Sequence, residues 1–411
     1  MKSQVLYGIG NLKYAEVDAP SPKDGEALIK VNACGICGSD IPRIFKTGAH
    51  NMPLIPGHEF TGTVVSCESA SFLAGKRVGI FPLIPCKKCP QCKSLHYEMC
   101  ENYNYLGSRC DGGFAEYATV PVWNLLPLPD EVTDEEAAML EPMAVAIHAI
   151  RRTGLITASD GILREASSFP GDQQTDSSDN SLDSRSQPTI VVCGLGTIGL
   201  LTALFLKDAG FTDVYCIGNK DIQKKMLLDM GYDKSQFCDV RYGDPVSFVM
   251  EKTNGRGTDY YFECIGKSES YEQAIKCTAP LGTVMLVGNP ASDMELKKDA
   301  YWKILRNQLT LLGTWNSSYI GDCNNNNDYD NVTTTSKNIE SSNTADSSAD
   351  TYIDDWHYAI NRLTAWKSDS DAAKHFSPSQ LITHRFSLED MQVGLDIMRR
   401  KSEEYVKIMV E

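Results

Sequence analysis

Residues 189–205 read TIVVCGLGTIGLLTALF, a buried-strand pattern that passes through a glycine-rich turn into a helical pattern. Glycines at this spacing permit a tight turn and let a pyrophosphate approach the backbone at a helix N-terminus. The strand before the turn and the helix after it supply the context that G-x-G-x-x-G alone lacks. The segment therefore predicts a dinucleotide site whose turn residues are Gly194, Gly196, Thr197, Ile198 and Gly199.

The next predicted strand covers 214–217 and ends about 20 residues after the turn, where an NAD site usually places Asp or Glu on the ribose hydroxyls. This chain has Gly218, Asn219 and Lys220 at that place. The missing carboxylate removes repulsion toward a 2′-phosphate and Lys220 adds a cation, so the sequence favours NADP. NAD stays possible, because the carboxylate of Asp221 could turn in and bind an unphosphorylated ribose.

The chain on either side of this segment shows two kinds of pattern. Residues before about 130 contain short β-branched runs interrupted by Gly and Pro, whereas strands and helical stretches alternate after Pro188. The end of the chain returns to a helix and a short strand that suit the first pattern. We expect an α/β protein with a β-rich, barrel-like domain at 1–155, a doubly wound parallel sheet at 156–315 and a return to the first domain at 316–411.

Two segments are dominated by Ser, Asp, Asn, Gln and Thr. They cover 159–187 and 321–351 and contain too few apolar residues to offset the entropy of ordering. We interpret both as solvated polar insertions.

The composition limits the classes of partner. A net charge of -15 without a clustered basic stripe argues against nucleic acid, and a small soluble substrate fits better. The N-terminus lacks a basic region followed by an apolar run, and no stretch of about 18 apolar residues occurs, so we expect a cytoplasmic protein without a membrane partner. The 14 cysteines do not resemble a short secreted disulfide framework, which makes metal binding their first expected use.

A compact cysteine array follows the first β-rich runs. Its spacing is C-x2-C-x2-C-x7-C, and four thiolates at this spacing can close a tetrahedron around one zinc ion with no open position for water. This zinc would be structural. Free surface thiols or an iron–sulfur cluster are the alternatives, because the number of thiolates does not identify the metal. The array consists of Cys86, Cys89, Cys92 and Cys100.

Further metal-ligand residue types are scattered along the first part of the chain. Cys37 is followed by Gly-Ser-Asp, His58 and Glu59 stand in Gly-His-Glu, and Glu141 precedes Pro142. Together with the cysteine array, these motifs resemble the zinc-dependent medium-chain dehydrogenase/reductase family. Its alcohol dehydrogenase branch has a Cys as third ligand, whereas its polyol branch is similar to this chain in having Glu. The resemblance implies a GroES-like catalytic domain, a Rossmann domain and a homodimer or homotetramer.

The resemblance also implies roles for individual residues. Cys37, His58 and Glu141 would hold a catalytic zinc, and Glu59 would lie at or beside the open fourth position. Three protein ligands and an exchangeable water are the arrangement expected of a catalytic zinc. Ser39 resembles the hydroxyl that begins the family's proton relay. Asp40 would orient His58, as metal-bound imidazoles usually require.

The stretches 37–50, 107–117 and 313–316 resemble members of the polyol branch that oxidise a hexitol phosphate. Three cations near these motifs could bind a phosphate, namely Arg43, Lys46 and Arg109. We therefore expect hydride transfer between a polyol or polyol phosphate and NADP or NAD. An unphosphorylated secondary alcohol or sorbitol-type substrate is the first alternative. The zinc-free quinone-reductase branch lacks this ligand set, and a non-catalytic zinc-binding protein could dispense with the open site and the glycine-rich turn.

Overall fold

The computed structural model describes residues 1–156, 187–321, 353–369 and 375–411. Two compact units emerge from the chain contacts, one formed by Met1–Ala144 with Asn316–Glu411 and the other by Val145–Trp315. The domain bounds expected from the sequence stay a prediction. Most of the two polar insertions, 159–187 and 321–351, lies outside the described residues.

Residues 1–156 form mainly short strands. The strands are β1 Lys2–Gly8, β2 Asn11–Glu16, β3 Glu26–Ile36, β4 Glu59–Ser66, β5 Arg77–Ile80, β6 Leu83–Ile84, β7 Asn104–Tyr105, β8 Tyr117–Pro121 and β9 Leu125–Pro127. The helices are α1 Asp40–Pro42, α2 Pro90–Lys93, α3 Asp134–Ala138 and α4 Leu140–Arg152, and a π-helical turn covers Arg43–Thr47.

Strands and helices alternate after residue 187. The strands are β10 Ile190–Cys193, β11 Val214–Gly218, β12 Phe237–Asp239, β13 Thr258–Glu263, β14 Thr278–Leu286 and β15 Thr310–Gly313. The helices are α5 Thr197–Asp208, α6 Asp221–Asp229, α7 Pro245–Lys252, α8 Ser268–Cys277 and α9 Lys298–Asn307.

The C-terminal part contributes α10 Asp355–Ser368, β16 Ile382–Phe386, α11 Met391–Arg400 and β17 Lys407–Val410. None of the helices in the described ranges is long and apolar enough to cross a membrane.

The first unit contains a seven-stranded sheet in the order β16-β17-β3-β4-β5-β9, with β8 paired to β3. The C-terminal strand β17 lies antiparallel to β3 and pairs Ile408 with Ile36 and Val410 with Cys34. Apolar residues that alternate along the strands face one core, for example Ile29 in β3 and Val64 in β4. The end of the chain is thereby part of the same sheet as the motif around Cys37.

The second unit contains a six-stranded parallel sheet in the order β12-β11-β10-β13-β14-β15. This is the order 3-2-1-4-5-6 of a doubly wound dinucleotide fold. All four residues of β10 are buried, as expected for the central strand of a parallel sheet covered on both faces. The predicted fold class, an α/β protein with a β-rich unit and a doubly wound parallel sheet, is confirmed.

Gly62 in β4 lies opposite Val31 of β3, next to an irregularity in the pairing. A Cβ atom on Gly62 would come 2.2 Å from the carbonyl oxygen of Lys30, so the strands would have to separate. We expect Gly62→Ala to lower the melting temperature by roughly 5 °C, equivalent to about 1–3 kcal/mol of overpacking. Gly8→Ala is the matched control, because nothing lies within 4 Å of its Cβ position. Equal melting temperatures for the two variants would contradict this register.

Candidate functional site

The four cysteines of the array converge in the first unit, around the short helix α2. Their sulfur atoms all lie within 4.8 Å of one another. The Sγ atoms of Cys86 and Cys92 are 4.0 Å apart, as are those of Cys89 and Cys100. Sulfurs bound at about 2.3 Å to a tetrahedral zinc are about 3.8 Å apart, so the spacing fits that ion.

The backbone around the array stabilises thiolates. The N–H of Cys86 donates to Sγ of Cys100 at 3.2 Å, and the N–H of Cys89 donates to Sγ of Cys86 at 3.4 Å. Backbone N–H donors, led by that of Lys88, lower the pKa of Cys86 to about 6, whereas burial raises the pKa of Cys92 to about 12. Four thiolates this close repel one another, and a divalent cation at their centre removes the repulsion. Every cysteine of the described ranges is a free thiol.

A second group of ligand atoms lies where β3 and β4 pair. Gly35 of β3 stands opposite Glu59 of β4, and this register brings Cys37, just past the end of β3, beside His58. One ligand atom each from Cys37, His58 and Glu59 lies within 4.8 Å of the other two. Glu141, the third ligand that the resemblance implied, lies outside this group.

The carboxylate of Glu141 is held by a tyrosine that the sequence reading did not single out. The hydroxyl of Tyr105 donates to Oε1 of Glu141 at 3.2 Å, and its ring lies 5.9 Å from that of His58. Burial raises the pKa of Glu141, and the positive charge of His58 opposes that rise. Glu141 is thus next to the ligand group without belonging to it. Tyr105 could not be predicted from the sequence, because a single aromatic residue outside any motif is usually a core packing residue.

Asp40 is fully buried beside this group. It accepts hydrogen bonds from the backbone N–H of Cys37 at 2.9 Å and from Nη1 of Arg43 at 2.5 Å. Its Oδ1 lies 3.6 Å from Nδ1 of His58, on the side expected of a carboxylate that orients the ring. Arg43, predicted to face a substrate phosphate, therefore uses part of its guanidinium on Asp40.

His58 shows that the centre attracts positive charge. Burial lowers the pKa of His58, but the charges of Asp40 and Cys37 outweigh burial and raise that pKa to about 10. Its Nδ1 is nevertheless buried without a hydrogen-bond partner in the structure. A neutral imidazole that binds a metal through Nε2 would keep its proton on Nδ1, where Oδ1 of Asp40 is the nearby acceptor.

A buried ion pair joins Glu59 to Lys407 of the C-terminal strand β17. Lys407 is 2% exposed, and burial lowers its pKa to about 8. Gly35 leaves room for the pair, because a Cβ atom there would lie 2.4 Å from Oε2 of Glu59. The sequence reading missed Lys407, although a lysine before the apolar run 408–410 was the available signal.

The charges around the centre fit a dication. The acidic side chains outnumber the basic ones by two when Cys37 is a thiolate and His58 is neutral, so one Zn²⁺ would balance them. The acidic groups are Cys37, Asp40, Glu59 and Glu141, and the basic groups are Arg43 and Lys407.

The other residues predicted for the substrate side of the site, Ser39, Arg109 and Lys46, differ in their contacts. The backbone N–H of Ser39 donates to Sγ of Cys37 at 3.5 Å. The guanidinium of Arg109 lies 4.2 Å from the ring centroid of Tyr103, whose ring packs edge-on against Tyr105. Lys46 is exposed in the π-helical turn. Arg109 is therefore connected through Tyr103 and Tyr105 to His58 in the group of metal ligands. Lys46, in contrast, is exposed to solvent.

The glycine-rich turn of the second unit has the geometry of a phosphate cradle. Gly194 has φ +93°, which a residue with a side chain rarely adopts, and Gly196 caps the N-terminus of α5. A Cβ atom on Gly199 would come 2.1 Å from the carbonyl oxygen of Gly194, so the helix starts directly against the turn. Thr197 and Ile198 lie in the first turn of α5, directly after the turn.

The tip of β11 is organised by Gln223, which the sequence reading also missed. Oε1 of Gln223 accepts the backbone N–H groups of Asn219 at 2.9 Å and Lys220 at 3.1 Å. A Cβ atom on Gly218 would lie 2.6 Å from that oxygen. Asp221 is the residue whose carboxylate could bind the ribose of NAD. Its Oδ1 lies 2.5 Å from Nη2 of Arg241.

Two known protein families match long stretches of the chain. The family profile for the alcohol dehydrogenase GroES-like domain matches residues 23–130, and that for zinc-binding dehydrogenases matches 197–335. The chain is 30% identical to galactitol 1-phosphate 5-dehydrogenase of Escherichia coli K12 over 318 residues, 77% of this chain and 83% of that protein. It is 34% identical to L-galactonate-5-dehydrogenase of the same strain over 317 residues, 75% and 81% of the two chains.

Among solved structures, galactitol-1-phosphate dehydrogenase from Escherichia coli matches with a TM-score of 0.75 and 27% identity, covering 100% of this chain and 99% of that one. The chain therefore belongs to the zinc-dependent medium-chain dehydrogenases, in their polyol branch. It is an oxidoreductase with a GroES-like and a Rossmann-like part, and the resemblance seen in the sequence motifs is confirmed.

The two groups of ligand atoms predict about two zinc ions per chain, one closed by four thiolates and one open. Cys37→Ala should lose about one ion and stay folded, because an open site contributes less to folding than a Cys₄ lobe. Cys100→Ala should lose the other ion and melt at a lower temperature. Cys67→Ala, a buried thiol outside both groups, is the control and should keep both ions. Elemental analysis after dialysis measures the content, and wild-type protein that saturates at one zinc would contradict the two-site assignment.

Proposed function

We propose that the chain transfers a hydride between a polyol, or a polyol phosphate similar to galactitol 1-phosphate, and a nicotinamide dinucleotide, with NADP preferred to NAD. The observation that supports it best is the group formed by Cys37, His58 and Glu59 with Glu141 beside it. A closed structural centre needs no extra carboxylate at its margin, whereas an open centre uses one next to the reacting alcohol.

We assign Cys37, His58 and Glu59 to holding the catalytic zinc and Glu141 to the side on which substrate binds. When bound, zinc supplies a Lewis acid that lowers the pKa of the substrate alcohol. Glu141, oriented by the Tyr105 hydroxyl, faces the alcohol and takes part in moving its proton. Ser39 begins the path of that proton to solvent, as its place two residues after Cys37 suggests.

Asp40 and Lys407 position the ligands. Asp40 lies 3.6 Å from His58 and is itself fixed by Arg43, so the imidazole orientation depends on both. Lys407 contacts Glu59 from β17, on the other side of β3. We assign Arg43 to this positioning, because Nη1 is already committed to Asp40. Lys46 and Arg109 remain as the cations for a phosphate on the substrate.

The NADP preference rests on the tip of β11. Gly218 supplies no carboxylate to accept ribose hydroxyls, and Lys220 follows at the N-terminus of α6. The glycine-rich turn from Gly194 to Gly199 would bind the pyrophosphate. We also propose that the enzyme acts in the cytoplasm, because the cysteines of the described ranges are free thiols and reduced thiols are usual there.

A second candidate is an unphosphorylated polyol. The observation that favours it is the engagement of two of the three predicted phosphate cations: Arg43 binds Asp40, and Arg109 stacks on Tyr103. A guanidinium that stacks on an aromatic ring keeps its N–H donors at the ring edge, so Arg109 can still bind a phosphate. Arg109 therefore decides between the candidates.

Arg109→Met removes the cation and keeps a side chain that covers Tyr103. If the substrate is a polyol phosphate, KM for it should rise about tenfold or more, since a charged hydrogen bond contributes about 1.5–3 kcal/mol. KM for the unphosphorylated polyol should stay unchanged. Arg400→Met removes a side chain that is 65% exposed and serves as the control. Hexitols, pentitols and their phosphates are screened with both cofactors, and equal effects on both substrate forms would favour the unphosphorylated candidate.

The second unit also supports a homodimer. Strand β15 is at one edge of the parallel sheet and, within the described part of the chain, pairs only with β14. Leu311 on this strand is exposed, as are Tyr301, Trp302 and Leu305 on the neighbouring helix α9. An exposed edge with apolar side chains readily pairs with a second copy of itself. We propose a homodimer, or a homotetramer built from such dimers, formed through this edge.

Leu311→Lys places a charge on the proposed dimer edge and should shift the protein to monomers in sedimentation velocity, because a buried unpaired charge is costly. Val393→Lys is the matched control, since Val393 is an exposed apolar residue in the first unit. A wild-type monomer, or a Leu311→Lys variant with unchanged sedimentation, would contradict the edge-to-edge assembly.

A further inference from the structure

Strands β11 and β12 end side by side at the carboxyl edge of the parallel sheet. Gly218 pairs with Asp239, and the N–H of Val240 donates to the carbonyl oxygen of Gly218 at 3.0 Å. Lys220 follows β11 by two residues, and Arg241 follows β12 by two. The register therefore places a second cation at the strand ends where Lys220 is expected to meet the cofactor.

The side chain of Arg241 is held in one orientation. Its Nε donates to Oδ1 of Asp239 at 2.9 Å and its Nη2 donates to Oδ2 at 2.6 Å, a two-pronged contact. The backbone N–H of Arg241 also donates to Asp239, at 3.0 Å. The guanidinium is thus fixed by its own loop, and it is 34% exposed at the surface.

Arg241 also reaches across to the neighbouring strand end. Its Nη2 lies 2.5 Å from Oδ1 of Asp221, the residue next to Lys220. Asp221 is 80% exposed, so this contact is made in solvent and exchanges readily with another anion. A guanidinium has five N–H donors, two of them on Nη1, and the contacts with both carboxylates use only Nε and Nη2.

We propose that Arg241 binds the 2′-phosphate of NADP together with Lys220, and that the carboxylate of Asp221 competes with the phosphate for Arg241. The inference rests on the proposed use of NADP and adds a residue beyond the tip of β11. Asp239 keeps the guanidinium in place in either state, because its two-pronged contact is independent of Asp221. The phosphate replaces Asp221 as the partner of Nη2.

The same arrangement disfavours NAD. When no phosphate is present, Arg241 neutralises Asp221 and limits its ability to accept the ribose hydroxyls. Removing Arg241 therefore weakens NADP and releases Asp221 for NAD. Removing the charge of Asp221 has the reverse effect on each cofactor. Opposite changes for the two cofactors are a signature that a structural role for Arg241 in the β12 loop would not give.

The test titrates the full-length, zinc-loaded protein with NADPH and NADH and follows nicotinamide fluorescence. Arg241→Met should weaken NADPH binding about tenfold or more, as expected for loss of a charge-assisted contact, and should leave NADH binding equal or tighter. Arg241→Lys keeps the charge without the fork and should recover part of the NADPH affinity. Asp221→Asn should tighten NADPH binding a few-fold and weaken NADH binding.

Arg256→Met is the matched control. Arg256 forms a comparable half-exposed pair with Asp259, but it precedes β13 at the opposite, amino end of the sheet. It should change neither affinity. Equal losses for NADPH and NADH in Arg241→Met, or no change in either, would overturn the inference. If Lys220→Ala weakens NADPH alone while Arg241→Met does not, Arg241 is excluded and the NADP assignment stands. A wild type that binds NADH more tightly overturns both, without touching the dehydrogenase assignment.

Discussion

A buried ion pair between Glu59 and Lys407 ties the C-terminal strand β17 to the residues of the metal site. An uncompensated charge in a protein interior costs several kcal/mol, so each of these buried side chains needs an opposite charge beside it. Glu59 belongs to β4 and Lys407 begins β17, and β3 lies between these two strands. The pair forms because the end of the chain enters the sheet beside β3, where Gly35 leaves the space for both side chains.

The pairing of β3 with β4 also brings together the candidate metal ligands Cys37, His58 and Glu59. Cys37 lies just past the end of β3, His58 and Glu59 lie at the start of β4, and the two strands are antiparallel neighbours. The strand pairing thus brings Cys37 close to His58, about 20 positions later in the chain. The buried charges of Asp40 and Lys407 lie against these residues. The excess of acidic side chains over basic ones makes the centre favourable for a dication. The charges of Asp40 and Cys37, which raise the pKa of the buried His58 imidazole, are part of that excess.

The local patterns could be predicted from the sequence, but the pairings between distant residues could not. The strand, turn and helix around Gly194, the strand pattern of the first unit and the convergence of the cysteine array depend on residues close in the chain. Tyr105 and Lys407 reach the metal group from segments that carry no ligand motif. Strand register places Glu59 with Cys37 and His58, and Glu141 reaches the margin of this group through Tyr105, so the role of Glu141 as a ligand stays a prediction.

An arginine held by an aspartate occurs at both sites, and burial decides what each pair can do. Asp40 is fully buried and Arg43 is 17% exposed, so solvent and ligands cannot compete for that pair, and it acts as a fixed support for His58. Arg241 is 34% exposed and one of its partners, Asp221, is 80% exposed, so water screens their attraction. An incoming phosphate can replace a weak, screened partner but cannot open a buried one. The exposed pair is therefore suited to recognise an anion, and the buried pair is suited to hold a ligand in place.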